Sequence, residues 1–248
     1  MKHIITKTFC VAILLTGATG LSALGEVRTG MMNVAEPRNG VRCFYSNGFQ
    51  SNLVKDYSDD LGSSISESVG GGVASLRLSP RTEASFWVSH YGKSTCVELQ
   101  GKYLLSSTDE YDISIGFGAY NSEGVKKERA NNVNYVKEKC VVNGLTIPII
   151  YSMNTNLHVL LSFGAAVNYD WVTVSGADKV YDSDTHQWSI HKFEYDPVGV
   201  LRGQCNFSME ANTGGIAVML ENGISFVDAG DQGLRRIYNM GFSIGISL

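Results

Sequence analysis

Proline is scarce in this sequence, with 4 in 248 residues. Proline cannot donate to a hydrogen-bond ladder, so a chain this poor in it can run strands without interruption. Charge is low as well. Asp, Glu, Lys and Arg make up 18% of the chain, against roughly 25% in a soluble globular protein. The net charge of −4 leaves no basic footprint for nucleic acid. No apolar run after residue 25 is long enough for a membrane-spanning helix, and long amphipathic helical patterns are scarce. Cys43, Cys96, Cys140 and Cys205 follow residue 25 with no C-x-x-C and no histidine at ligand spacing, which argues against a zinc site. Four cysteines in an exported chain allow three pairings, and small apolar strand fillers are an equal reading.

What the chain has in abundance is glycine, 27 residues, and alternation. Its start stands apart. Lys2, His3 and Lys7 precede an apolar stretch from Phe9 to Leu15, and Ala23-Leu24-Gly25 precede Glu26. A positive start, a short apolar core and a small-residue site make a secretory signal peptide, with cleavage expected after Gly25. Residues 26–39 read as an irregular leader and residues 40–248 as one domain.

Within that domain apolar residues recur at every second position. The last stretch is the cleanest. Tyr238, Met240, Phe242, Ile244, Ile246 and Leu248 share one face; Asn239, Gly241, Ser243, Gly245 and Ser247 share the other. A period of two is that of an extended strand. The central hairpin repeats it. Leu145, Ile147, Ile149 and Tyr151 lead to a turn at 153–156, and Leu157, Val159, Leu161, Phe163, Ala165, Val167, Tyr169 and Trp171 follow. Soluble strands run about 5–6 residues, whereas tilted membrane strands need about 9–11. This strand has membrane length, and it ends on the aromatic types that collect at a bilayer interface.

Short turns, such as Ser79-Pro80-Arg81-Thr82, alternate with the longer polar stretches 47–68, 121–143 and 172–196, which read as exterior loops. Candidate strands number ten, or eight if the first two pack elsewhere; ten is the preferred count. The expected fold is all-β, an antiparallel up-and-down transmembrane β-barrel of 8–10 strands. The segments Leu145-Thr146-Ile147-Pro148-Ile149-Ile150-Tyr151 and Leu160-Leu161-Ser162-Phe163-Gly164-Ala165-Ala166 resemble the small bacterial outer-membrane β-barrel family, the OmpA-, OmpW- and opacity-protein-like set. The closing segment Asn239 to Leu248 is similar to that family's C-terminal insertion signal, with Leu248 where the signal ends in an aromatic residue. The resemblance covers roughly residues 70 to 248. It implies an outer-membrane location, contact with outer-membrane lipid, and assembly through the closing strand by the barrel-assembly machinery.

In such a barrel Tyr238, Met240, Phe242, Ile244, Ile246 and Leu248 would face the membrane. Arg77, Glu98, Lys102, His158, Arg202 and Glu221 would face the lumen, pairing with one another or lining a constricted pore. No cofactor, metal or nucleic acid is expected. Asp178, Asp182 and Asp184 lack the glycine and terminal glutamate of a calcium loop. The expected role is structural, surface-interacting through the exterior loops toward an external ligand or host surface, or that of a narrow pore. Two alternatives remain. A barrel enzyme acting on lipid or peptide would draw on His186 and His191 with Asp182 and Asp184, which match no catalytic spacing, so an enzyme is not expected. A lipocalin-like carrier would point its apolar residues inward.

Overall fold

The alternation becomes eleven strands in the computed structural model, which describes residues 41–52, 65–91, 94–129, 135–155, 159–182, 184–213, 215–228 and 234–247. The expected signal peptide and leader, with His158 and Leu248, lie outside the described residues. In chain order the strands are β1 (Val41–Asn52), β2 (Ile65–Ser79), β3 (Thr82–Tyr91), β4 (Ser94–Ser107), β5 (Tyr111–Arg129) and β6 (Tyr135–Asn154). They continue as β7 (Val159–Asp182), β8 (Gln187–Glu194), β9 (Val198–Thr213), β10 (Ile216–Asp228) and β11 (Leu234–Ser247).

Ten of them form a closed ring. Each of β1 to β6 pairs antiparallel with the next, β6 pairs with β7, β7 with β9, and β9 through β11 return to β1. Closure leaves no edge in the wall, which is what lipid requires of a sheet. The eleventh strand, β8, pairs among the described residues with the upper part of β7 alone and stands above the ring.

Tight turns gather at one end. Ser79 and Thr82 flank Pro80-Arg81, where Arg77 Nε donates to Ser79 O at 3.0 Å and Thr82 Oγ1 to Ser79 Oγ at 2.7 Å. Thr108 Oγ1 accepts from Tyr111 N at 3.0 Å, and Thr155 N donates to Val159 O at 3.0 Å. Gly215, at φ 87°, takes a left-handed conformation that a side chain would resist, in the turn between β9 and β10. The scarce prolines are placed with equal economy. Pro148 sits inside β6, and the β5–β6 ladder lacks the pairs at Gly116 and Phe117 beside it. Gly116 has no Cβ to meet the Pro148 ring, so the ring fits inside the wall.

Burial follows the alternation. Leu99, Phe117, Ile149, Val167 and Leu201 are exposed on the outside, while Ser114, Thr146, Ser162, Asn168 and Ser243 are buried inside. A soluble ligand-holding barrel needs the reverse. Tyr111 stacks on Tyr151 near the tight turns, with ring centroids 5.7 Å apart, and Tyr169 meets Trp171 edge-on near the other end. Register places Met153 opposite Tyr111 and Asn143 opposite Trp171. The ten residue steps along β6 between these levels, at about 3.4 Å each and a tilt of about 40°, span roughly 25 Å, the height of an outer-membrane apolar band.

Above that band the strands continue, and here the structure corrects the loop assignments. β1 and β2 occupy 41–52 and 65–79, β5 and β6 reach 129 and 135, and β7 and β8 form a hairpin through 175–194. The polarity of the wall inverts at this level. The outward face of β5 changes from Phe117 and Ala119 to Asn121 and Glu123. Asn121 Nδ2 donates to Asn143 Oδ1 at 2.8 Å, and Lys139 pairs with Glu123 at 2.8 Å. The inward face turns apolar: Cys96, Tyr120, Cys140 and Val142 cluster there, with Val172 and Val174 against them. A sheet with a dry inside and a wet outside belongs in water, so this level marks the bilayer surface.

Candidate functional site

Inside the ring, strand parity brings polar side chains from facing strands into a space with little water. Arg202 on β9 is the centre. Its Nε donates to Asp170 Oδ2 at 3.0 Å, its Nη2 donates to Asp170 Oδ1 at 3.4 Å and to Tyr120 Oη at 2.8 Å, and Tyr120 Oη in turn donates to Asp170 Oδ1. The guanidinium also lies over the Tyr120 ring, 5.9 Å from its centroid. Arg202 is 3% exposed and Asp170 0%. A buried charge is tolerable only when it is paired and its donors are used, and this group meets both conditions.

Backbone register explains how the three meet. Tyr120 stands opposite Gly144, and Gly144 stands opposite Asp170, so the tyrosine must cross β6 to reach β7. A Cβ on Gly144 would collide with the Tyr120 ring. Glycine at 144 is therefore the gap through which β5 touches β7. Asn168, 0% exposed, adds a contact by donating from Nδ2 to Arg202 O at 3.4 Å.

Other expected lumen residues lie elsewhere on the interior. Lys102 on β4 pairs with Glu83, directly opposite on β3, at 3.3 Å, both nearly inaccessible. Glu221 on β10 is buried and accepts from Asn206 Nδ2 at 3.2 Å. Arg77 lies at the turn end, bonding the carbonyls of Ser79 and Pro80, and Glu98 is half-buried. Lys102 and Arg202 each hold a carboxylate, Glu83 and Asp170 respectively. On the closing strand, Met240, Phe242 and Ile244 are exposed on the outer face and Ser243 is buried, while Ile246 is intermediate. The side chain of Tyr238 lies outside the described residues.

Apolar side chains also enter the interior. Trp87 from β3 packs in one buried cluster with Val73 of β2 and Ala217 of β10. Three and four steps of the ring separate β10 from β2 and β3, so this cluster crosses the lumen. Sequence reading missed Tyr120, Gly144, Glu83 and Trp87 as parts of the interior network. Extending the parity of Gly116 and Gly118 by one step places Tyr120 inside, and counting back from the short link between Tyr91 and Ser94 pairs Glu83 with Lys102.

His186 and His191 lie on the exposed hairpin above the ring. Tyr181 Oη and His186 Nδ1 are 3.0 Å apart, and Ser189 Oγ and His191 Nε2 are 3.1 Å apart. Among the described residues no group of three or more His, Cys, Asp or Glu could hold a metal. Cys96 and Cys140 are buried, and Cys205 is exposed on the outer face.

No protein-family model and no curated protein matches the sequence. Solved structures do. The outer membrane protease OmpT from Escherichia coli aligns with a TM-score of 0.52 at 12% identity, over 86% of this chain and 97% of its own. The translocator domain of the autotransporter NalP from Neisseria meningitidis aligns at 0.45 and 9% identity, over 100% and 98%. The outer membrane protein Omp33 from Acinetobacter baumannii aligns at 0.33 and 11%, over 87% and 100%. At 12% identity the OmpT likeness speaks for fold and not for chemistry. Together with the closed ring and its apolar outer band, it gives this chain the fold of a bacterial outer-membrane β-barrel.

Proposed function

We propose that the protein is an integral outer-membrane barrel that carries a surface-exposed sheet, and that its lumen is packed shut. The carrying observation is the burial of inward side chains: Asn168 and Asp170 are 0% exposed, Glu210 2%, Arg202 3% and Lys102 6%. A water-filled channel wide enough to conduct would wet these charges. The cluster of Val73, Trp87 and Ala217 across the ring supports the same reading. Outer-membrane lipid covers the apolar band, the barrel-assembly machinery engages β11, and the extension above the bilayer offers the contact surface to an external ligand or host surface.

Planar-bilayer recording tests the closed lumen. The folded protein is expected to give no steady conductance steps; reproducible open-channel steps would establish the narrow-pore reading instead. The role proposed is not enzymatic. A lipid- or peptide-hydrolysing activity that disappears on His186→Ala or His191→Ala would overturn that part.

A further inference from the structure

We infer that the outer edge of β8 pairs antiparallel with β8 of a second copy of this chain, joining two barrels that stand in facing membranes. The inference rests on the membrane-barrel reading above. β8 ends the sheet order, with β7 as its one strand neighbour among the described residues. An edge strand offers a row of backbone donors and acceptors to another chain, and Ile190 here is 64% exposed with no proline or inward charge to block approach.

The phase of the edge follows from one bond. Tyr195 N donates to Val174 O at 2.9 Å, in the register that continues Glu194 opposite Ser175. Antiparallel ladders alternate hydrogen-bonded and non-hydrogen-bonded pairs. Odd-numbered residues of β8 therefore spend their backbone groups on β7, and Trp188, Ile190, Lys192 and Glu194 turn theirs to the outer edge. A second β8 can pair only in registers that set even residues against even.

One such register is self-complementary. With Ile190 on the two-fold axis, Ile190 meets the partner's Ile190, and Trp188 meets the partner's Lys192. These are an apolar pair and, twice by symmetry, a cation–π pair. On the other face Ser189 meets the partner's His191. Sliding by two residues one way sets Ile190 against Lys192 and Trp188 against Glu194. Sliding the other way sets Trp188 against Ile190 and leaves Lys192 and Glu194 beyond the end of the partner's strand. Only the Ile190-centred register sets Ile190 on Ile190 and gives each Lys192 a tryptophan.

Symmetry then fixes the geometry. The two-fold of an antiparallel pair is normal to the sheet, and β7 carries the plane of the barrel wall into the hairpin without a break. The axis consequently lies in the membrane plane, and the two barrels point in opposite directions. Ile190 pairs with Lys179, eight residues beyond Trp171. At about 3.3 Å per residue and a tilt of about 40°, it stands roughly 20 Å above the bilayer surface.

The test uses the full chain reconstituted into phosphatidylcholine–phosphatidylglycerol vesicles, followed by dynamic light scattering. Protein-bearing vesicles are expected to cluster with one another and not with protein-free vesicles. Ile190→Lys vesicles and Ile190→Glu vesicles are each expected to lose clustering, and a mixture of the two to regain it. Clustering that survives either single variant, fails to return in the mixture, or recruits protein-free vesicles overturns the pairing. The heat-induced gel shift of the same preparations reports barrel folding separately. A retained shift without the clustering pattern sinks the pairing alone; an absent shift in the unaltered protein sinks the barrel reading and the pairing with it.

Discussion

Tyr120 gives its hydroxyl hydrogen to Asp170 over the Cα of Gly144, so one side chain ties three neighbouring strands together. Gly144→Ala places a methyl group where the ring lies and is expected to break the bond. Tyr120→Phe removes the bond and leaves the space filled. Each is expected to cost about 1–3 kcal/mol, the penalty for a buried polar group that loses its partner. Urea titration of the vesicle-inserted protein measures this. Wild-type stability in both variants would show that the ring is not held by Asp170.

Removing one charge of the central pair should cost more. Arg202 and Asp170 are both inaccessible, so Asp170→Ala strands a buried guanidinium and Arg202→Ala a buried carboxylate. Each is expected to lose roughly 3–5 kcal/mol. The double variant Asp170→Leu, Arg202→Met is expected to lose far less than the sum, because neither charge is then stranded. Additive losses in a double-mutant cycle would contradict the pairing.

Depth in the bilayer can be read from arginine substitutions. Phe117→Arg and Ile149→Arg fall within the outer apolar band and are expected to cost about 2–4 kcal/mol. Asn121→Arg lies at the level where polarity inverts, and should cost roughly 0–1 kcal/mol. Equal costs at positions 117 and 121 would place the bilayer surface elsewhere.

Thiol chemistry separates the faces. Among the cysteines whose side chains are described, Cys205 is exposed on the outer wall, and Cys96 and Cys140 are buried in the apolar cluster above the band. A membrane-soluble maleimide is expected to label Cys205 in the folded protein, and to reach Cys96 and Cys140 only after unfolding. Peptide mapping by mass spectrometry identifies the labelled sites. Rapid labelling of Cys96 in the folded state would mean the interior there is open.

The barrel itself was legible because lipid imposes one rule on every strand, apolar outside and small or polar inside, and Phe117, Ile149 and Val167 obey it within a period of two. The upper strands were not legible for the same reason. Beyond Ala119 and before Leu145 the rule reverses, so Asn121, Glu123, Lys139 and Asn143 look like loop although the ladder runs on. Arg202 and Lys102 could be placed inward by parity, but their partners depend on register. Asp170 comes from an adjacent strand, and Tyr120 from two strands further along the ring, a relationship that no local window contains.

β7 is a single strand of 24 residues that begins at the tight-turn end and finishes at the hairpin tip. It is laddered to β6 at twenty successive positions, from Leu160 opposite Asn154 to Lys179 opposite Tyr135. Tension applied along the hairpin would therefore load that ladder in shear, with many bonds sharing the force, whereas a pull across the strands would open them one after another. Pulled along the barrel axis, the extension would give way only when many ladder bonds break together.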